Sequence, residues 1–582
     1  MNSFSQPAPD SPTLAATASA TTRRDSEGRP PRFTKVKLFT DNLDAWQAKR
    51  ELIGRAQHSL DLAYFIVEVD GTTSRLMLDL VAAAQRGVKV RLLADYFLTF
   101  NQAPALKTLA AVQNIEVRRY RPPTAAWLRA LEAAGIDKVL FAKGLMTTSG
   151  PLLANAIKEN TIFPVQLLAA VRTLRAEPGE SRLAFASRLL TMLRDLVGSD
   201  IGRPYLSALA ALAVDSVPRM EAKLALLLEV IGGLKEFLRR THHKLLLADE
   251  REFIMGGRNL SDAYQRNDLP PGERSFQDTD VLAFDGRLEG SEHVAAFQAL
   301  WDCAMSVDVT LPDPVDSGPA LEIEILQNKA REVDSLKPAA GAAPAHDLPD
   351  MEGYIVNNLP TVAGDDLIAK AQAFLTQQVF ARGRPAVVDM PKDAGDASIT
   401  KVYASLIQEV AARGGPAVID IVSAYVCFAE DGSAGPSLLE LPKSLLAAVR
   451  AGVTVNVYTN SIATTDLKPI NRAAYPGLLE LMDGGVNVFE LQGDQGSLHT
   501  KAAAFANDWL VVGSYNMDPR SQMFDTNNLI VLRDRGGRAT AAFRDTRING
   551  LKWTRLTPES IGQLAAEAGP KSPRFRVVRG LL

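Results

Sequence analysis

His242 and His499 each open the same string of residues. The first string runs His242-His243-Lys244-Leu245-Leu246-Leu247-Ala248-Asp249 and continues to Gly256-Gly257-Arg258-Asn259. The second runs His499-Thr500-Lys501 and continues to Gly513-Ser514-Tyr515-Asn516. In both, Lys follows His by two residues and Asn follows it by 17. The chain holds only six His, and two of them stand at matching points of this pattern. One His-x-Lys is commonplace. Two copies at one offset constrain the chain to an internal duplication.

The flanking periodicities repeat as well. Leu43 to Gln57 reads as a helix, Ser59 to Val67 as a strand, Ser74 to Arg86 as a helix stopped by Gly87, and Val88 to Asp95 as a strand. The second half replays this with a strand at Ala417 to Tyr425, a helix at Pro442 to Arg450 and a strand at Val453 to Tyr458. Arg86-Gly87-Val88-Lys89-Val90 and Ala451-Gly452-Val453-Thr454-Val455 are one joint in two copies. Strand, helix, strand with short loops is a βαβ unit. The expected fold class is therefore α/β: two duplicated lobes, each a mixed, mostly parallel sheet flanked by helices.

The copies also locate an insertion. Gly452 to His499 spans 47 residues and Gly87 to His242 spans 155, so the first lobe carries about 108 more. The extra segment, about 124–237, is rich in Leu and Ala at helical spacing, as in Leu183 to Val197 and Glu221 to Leu238. Thr124 to Arg240 holds 15 Lys/Arg against 11 Asp/Glu. It reads as a helical bundle packed on its lobe, or as a lid or membrane-facing surface favouring anionic lipid. The expected organisation is a disordered tail at 1–33, a first lobe at 34–310, a linker at 311–350 containing the Pro/Ala/Gly run 337–344, and a second lobe at 351–582.

Composition narrows the function classes. A chain of 582 residues exceeds a single core. A net charge of −3 supplies no global basic field for nucleic acid. The two cysteines, Cys303 and Cys427, lie far apart in apolar surroundings, which argues against a disulfide framework or a thiolate metal site. The tail lacks the apolar core of a signal peptide, and no stretch reaches a spanning helix. Work at a membrane would be done from its surface.

Side chains two apart on a strand share a face, so His242 and Lys244 point together, as do His499 and Lys501. The Gly-containing turns return Asn259 and Asn516 beside them. Folding the lobes about a pseudo-twofold axis gathers two His, two Lys and two Asn. Two ammonium groups and amide donors suit a phosphate diester. Two imidazoles supply a nucleophile and a proton donor. No metal or other cofactor is needed for this chemistry.

These strings resemble the His-x-Lys-x4-Asp-x6-Gly-[Gly/Ser]-x-Asn motif of the phospholipase D superfamily, which the first copy fits at every defined position. More narrowly the chain resembles the bacterial cardiolipin synthase C group, through Arg86 to Arg91, His243-Lys244 leading to Gly-Gly-Arg-Asn, Asp278-Thr279-Asp280-Val281-Leu282, Thr459 to Asp466 and Asn516-Met517-Asp518-Pro519-Arg520-Ser521. Two phospholipase D-like lobes are thereby implied. So is a two-step phosphatidyl exchange, with His242 as nucleophile through a phosphohistidine and His499 as acid and base. The implied partners are phospholipid substrates at the inner face of a bacterial inner membrane, met by a cytoplasmic, peripheral enzyme, with both lobes of one chain completing the site and no nucleic acid expected. Cardiolipin synthesis from phosphatidylglycerol and a second phospholipid, hydrolysis to phosphatidic acid, and nuclease-type phosphodiesterase action all fall within the superfamily; a degenerate lipid-binding protein is a further alternative.

The second copy departs from the pattern. Ala506 stands where Asp249 stands in the first, and Asp525-Thr526-Asn527 replaces the group's Asn-Thr-Glu. The expectation is that Asp525 orients His499 and that Asp278 or Asp280 orients His242.

Overall fold

The computed structural model describes residues 32–133, 239–358, 398–428 and 440–568, apart from residues 271, 287–291, 313–314, 316–317, 337–344 and 524. The first lobe supplies β1 (Arg32–Phe39), β2 (Ser59–Tyr64), β3 (Lys89–Asp95), β4 (Ile115–Tyr120), β5 (Lys244–Ala248), β6 (Glu252–Gly256), β7 (Phe276–Gln277), β8 (Asp280–Asp285) and β9 (Ser306–Asp308). The second supplies β10 (His346–Asp347), β11 (Met351–Asn358), β12 (Val418–Ser423), β13 (Thr454–Thr459), β14 (Asn487–Leu491), β15 (Ser497–Leu498), β16 (Lys501–Phe505), β17 (Trp509–Gly513), β18 (Asn527–Arg533) and β19 (Trp553–Arg555).

The spatial order is palindromic. The first lobe reads β9-β4-β3-β2-β5-β6-β8-β1 and the second β19-β14-β13-β12-β16-β17-β18-β11, with β1 and β11 joined antiparallel through Phe33 and Met351. Each ladder of one lobe has its counterpart in the other, with the same sense. The sheet is mixed, as expected, but it is not mostly parallel. Only β2-β3-β4 and β12-β13-β14 run parallel. The βαβ units visible in the sequence supply β2-β3 and β12-β13, and β4 and β14 extend them. β5 and β6, and likewise β16 and β17, are joined by three-residue turns too short for a crossover, so they pair antiparallel.

The central strands β5, β6, β16 and β17 are near-continuous apolar runs because both faces are covered. On β5, Leu246 and Ala248 face the lobe's own helices, while Leu245 and Leu247 face the other lobe. β6 packs against β17 and β18, so the sheets stack face to face around a shared core of Phe253, Met255, Ala504, Leu510 and Val512. Helices close the outer faces. The first, α1 (Asn42–Arg55), is capped by Asp41, which accepts from Leu43 N and Asp44 N; the next, α2 (Gly71–Gln85), is capped by Asp70. Gly87 and Gly452 adopt φ of +95° and +87° and end their helices with matching bonds, Val88 N to Ala83 O and Val453 N to Ala448 O.

Two boundaries shift. Arg32 and Phe33 belong to β1, and Phe33 is fully buried, so order starts before the end of the anticipated tail; residues 1–31 lie outside the described residues. The stretch 311–350 is no open linker. Its helix Ile323–Arg331 lies on α2, with Leu326 and Val333 in the first lobe's core. Of the insertion, only Thr124 and the helix Ala125–Ala133 are described; the helices expected at 183–197 and 221–238 lie outside.

Candidate active site

The segment before each His crosses to the opposite lobe. His242 N donates to Thr526 O at 2.8 Å and Thr526 N to Arg240 O at 2.9 Å. In mirror fashion, β15 pairs parallel with β7, and His499 N donates to Gln277 O at 2.8 Å. Each imidazole is therefore presented by one lobe and held by the other. Both are buried, with only 5% of each residue exposed.

The ring contacts are crossed in the same way. His499 Nδ1 lies 2.7 Å from Asp278 Oδ2 of the first lobe. His242 Nδ1 lies 3.0 Å from Asn527 Oδ1 of the second. The Asn527 amide is locked, because Nδ2 donates to Ser521 O at 3.3 Å and Asp525 O at 3.1 Å. Its oxygen thus faces His242, so Nδ1 must carry the proton and Nε2 the free lone pair. Lys501 Nζ also comes within 2.9 Å of His499 Nδ1, but that nitrogen can serve only one of the two. The carboxylate at 2.7 Å takes its N–H, and Lys501 donates to the His499 carbonyl.

The orienting pairs differ from those expected. Asp525 does not reach His499: it accepts from Arg520 Nε at 2.8 Å and Arg240 N at 3.1 Å. Asp280 does not reach His242: it forms a buried pair with Lys49 at 2.7 Å and accepts from Arg258 N. The sheet register explains the error. Gly256 pairs with Asp280 and Gly513 with Leu529, so Asp278 and Asn527 are the equivalent positions. Their neighbours match them. A Cβ on Gly257 would sit 2.1 Å from Asp278 Oδ1. The corresponding Ser514 instead donates its hydroxyl to Asn527 Oδ1 at 3.1 Å. Gly257 makes room for a carboxylate, and Ser514 partners an amide.

Lys244 Nζ donates to the His242 carbonyl at 2.9 Å and stands 5.1 Å from the centre of the Phe65 ring. Asn259 Oδ1 accepts from Ile66 N at 3.2 Å, and Asn516 N donates to Ser521 Oγ at 3.2 Å. Asn259 Nδ2 and Asn516 Oδ1 are buried without a hydrogen-bond partner among the described residues, and a half-turn of the second amide would present its nitrogen. Asp249 belongs elsewhere. At the far end of β5 from Lys244, with φ of +50°, it accepts from the backbone N–H groups of Gln57, His58 and Ser59. It is an anchor for β2. At the corresponding turn Arg544 binds Ala506 O, Asn507 Oδ1 and Asp420 Oδ2, which is how the second lobe does without the motif Asp.

Burial governs the electrostatics. Desolvation, then Lys244 and Lys501, push His242 well below its ordinary pKa; desolvation, then Lys501 and Lys244, do the same to His499. Desolvation, reinforced by Lys501, also lowers Lys244 strongly. Burial brings Lys501 down to about 8, against the opposing pull of Asp278, Asp466 and Asp518. The site is buried and gathers two His and two Lys, whose charged forms an incoming anion would favour.

Tyr264 was not singled out from the sequence. Its hydroxyl lies 3.3 Å from His499 Nε2, and its ring stacks on Phe276 with centroids 4.5 Å apart. Asn527 was read only as a lost carboxylate. Neither contact has a sequence signal without the register of the sheets.

A family model described as cardiolipin synthase, PLD-like domain, matches residues 419–546, the core of the second lobe. The chain belongs to the phospholipase D superfamily. Within that superfamily it lies near the cardiolipin synthases: cardiolipin synthase C of Escherichia coli K12 is 24% identical over 512 residues, covering 83% of this chain and 78% of that one. A Helicobacter pylori protein (strain ATCC 700392 / 26695), described as uncharacterized, is 24% identical over 319 residues, or 52% of this chain. The chain spans only 56% of the length of that relative. The crystal structure of phosphatidylserine synthase from Haemophilus influenzae Rd KW20 superposes with a TM-score of 0.49 at 10% identity, covering 95% of this chain and 97% of that one. Among the described residues of this phospholipase D-like chain, no helix is long and apolar enough to cross a membrane.

Proposed function

We propose that the protein transfers phosphatidyl groups between phospholipids at a membrane surface, making cardiolipin from phosphatidylglycerol and a second phospholipid. The observation that carries this is the crossed pair of buried imidazoles, each Nδ1 held from the opposite lobe so that Nε2 is left for chemistry, with the Tyr264 hydroxyl beside that of His499. Likeness to cardiolipin synthase C over most of both chains supports the lipid substrate class.

The reaction has two steps. His242 Nε2 attacks phosphorus while the P–O bond to the departing alcohol breaks, and that oxygen takes the proton of a protonated His499 Nε2. The acceptor alcohol then returns its proton to His499 Nε2 as its oxygen attacks phosphorus and the P–N bond breaks. His499 suits the proton-carrying role because the Asp278 carboxylate stabilises an imidazolium. Its lowered pKa in the free site is relieved when the anionic diester arrives beside it. Lys244 and Lys501 neutralise the non-bridging oxygens, and Asn259 and Asn516 add amide contacts. Burial of the site keeps bulk water from competing with the acceptor alcohol.

The test is incubation of purified protein with phosphatidylglycerol vesicles, with and without phosphatidylethanolamine, and identification of products by mass. Cardiolipin is the expected product. Phosphatidic acid would make the enzyme a hydrolase, and the absence of any lipid turnover would overturn the proposal.

A further inference from the structure

We propose that Arg547 of the second lobe is a positioning residue for His499, acting through Asp278 of the first lobe. The inference rests on reading His242 and His499 as the reacting pair. Arg547 lies in the π-turn Asp545–Asn549 that ends the helix Arg538–Arg544, and it is 3% exposed. Such turns are rare and concentrate at functional sites.

Its guanidinium makes four contacts. Nε donates to Thr279 Oγ1 at 3.0 Å and Nη1 to Gln277 Oε1 at 3.1 Å, while Nη2 reaches the carbonyls of Asp278 and Thr40. Three of the four fall on the segment Gln277–Thr279. That segment holds His499 twice, by Gln277 O on the backbone N–H and by Asp278 Oδ2 on the ring. One fork of donors therefore fixes both grips on one imidazole. Arg258 Nη2 adds a contact to the Asp278 carbonyl at 2.6 Å, so two guanidinium groups hold the backbone of a residue whose carboxylate is fully buried. Burial raises the Asp278 pKa, while Lys501, Arg258 and Arg547 oppose that rise.

Among the described residues the first lobe has no such device. Its corresponding helix, Glu292–Asp302, packs on β11 and contains neither Arg nor Lys. The extra guanidinium is found on the side that carries the carboxylate. That pairing identifies the Asp278–His499 contact as the one whose geometry is most guarded. A planar fork spanning three residues is not reproduced by an ammonium point charge.

The test uses the full chain with Arg547→Met and Arg547→Lys. Turnover is measured on phosphatidylglycerol vesicles, and the His499 ring is followed by ¹⁵N NMR of histidine-labelled protein, assigned with His499→Gln. Arg547→Met should lower kcat by about tenfold to a hundredfold with KM within about twofold, since the lost interaction serves the transition state. The His499 signals should change from a fixed Nδ1–H tautomer to a mixture, and Arg547→Lys should recover part of both. A folded Arg547→Met protein with wild-type kcat would overturn the proposal. So would lost activity with an unchanged His499 tautomer, which would leave Arg547 a merely structural residue. If Arg547→Met does not fold, Arg547→Lys decides by the same tautomer readout. If the wild type does not turn over the lipid, the functional reading fails, and the NMR comparison still decides for or against Arg547.

Discussion

The two halves of the site share a fold, a strand order and a hydrogen-bond scheme, yet they treat their histidines differently. His499 is held by the carboxylate of Asp278, a residue whose main-chain carbonyl accepts from Arg258 and Arg547. His242 is held by an amide, Asn527, locked by two backbone carbonyls and Ser514. A carboxylate favours the charged imidazolium. An amide oxygen fixes a tautomer without adding a countercharge. On the proposed mechanism one half would hold a proton and the other present a lone pair, so one duplicated geometry would serve two roles.

The largest test removes each imidazole. His242→Ala and His499→Ala should each cost ~10³-fold or more in kcat on phospholipid. The comparison sharpens with a diester bearing a p-nitrophenyl leaving group, which departs without a proton. Release of nitrophenol in a single turnover should then return in His499→Ala and stay absent in His242→Ala. The opposite pattern would exchange the roles.

The next test compares the two supports. Asp278→Asn should lower kcat by about 10²- to 10³-fold, and Asn527→Ala by about tenfold, because only the first removes a countercharge. Equal losses would dissolve the asymmetry. Gly257→Ser should be as damaging as Asp278→Asn, since its side chain would occupy the place of the Asp278 carboxylate.

The lysines offer a pH test. Lys501, with a pKa of about 8, is charged below that value and neutral above it. kcat/KM on phosphatidylglycerol vesicles should therefore fall as pH rises through about 8, approaching tenfold per unit. A flat profile up to pH ~10, near the ordinary Lys value, would show that Lys501 keeps its proton in the free site.

The smallest effects lie at the far ends of β5 and β16. Asp249→Ala should leave kcat unchanged while costing about 1–2 kcal/mol in urea unfolding, because three backbone N–H groups lose their acceptor. Ala506, at φ of +51°, sits where Gly is favoured, and Ala506→Gly should gain up to ~1 kcal/mol. Loss of activity in Asp249→Ala would return that residue to the site.

Much of this was legible in residues alone. The equal offsets from His242 to Asn259 and from His499 to Asn516 announced the duplication, and the Gly87 and Gly452 joints located the helix ends. Misreadings arose where meaning depends on register. Asp278-Thr279-Asp280 and Asp525-Thr526-Asn527 look like matching strings, yet pairing against β6 and β17 aligns Asp278 with Asn527 and Asp280 with Leu529. The motif Asp249 looked like part of the site and proved to be a turn anchor, because four strand residues, Leu245 to Ala248, separate it from Lys244.

The sequence by itself determined the two-lobed fold and the residue types gathered at the candidate site, because periodicity, turn chemistry and repeat spacing are local properties of the chain. Only the tertiary structure decided which lobe supports which imidazole, and with what charge. Those contacts join residues more than 200 positions apart, across a stack of sheets whose register no short string encodes.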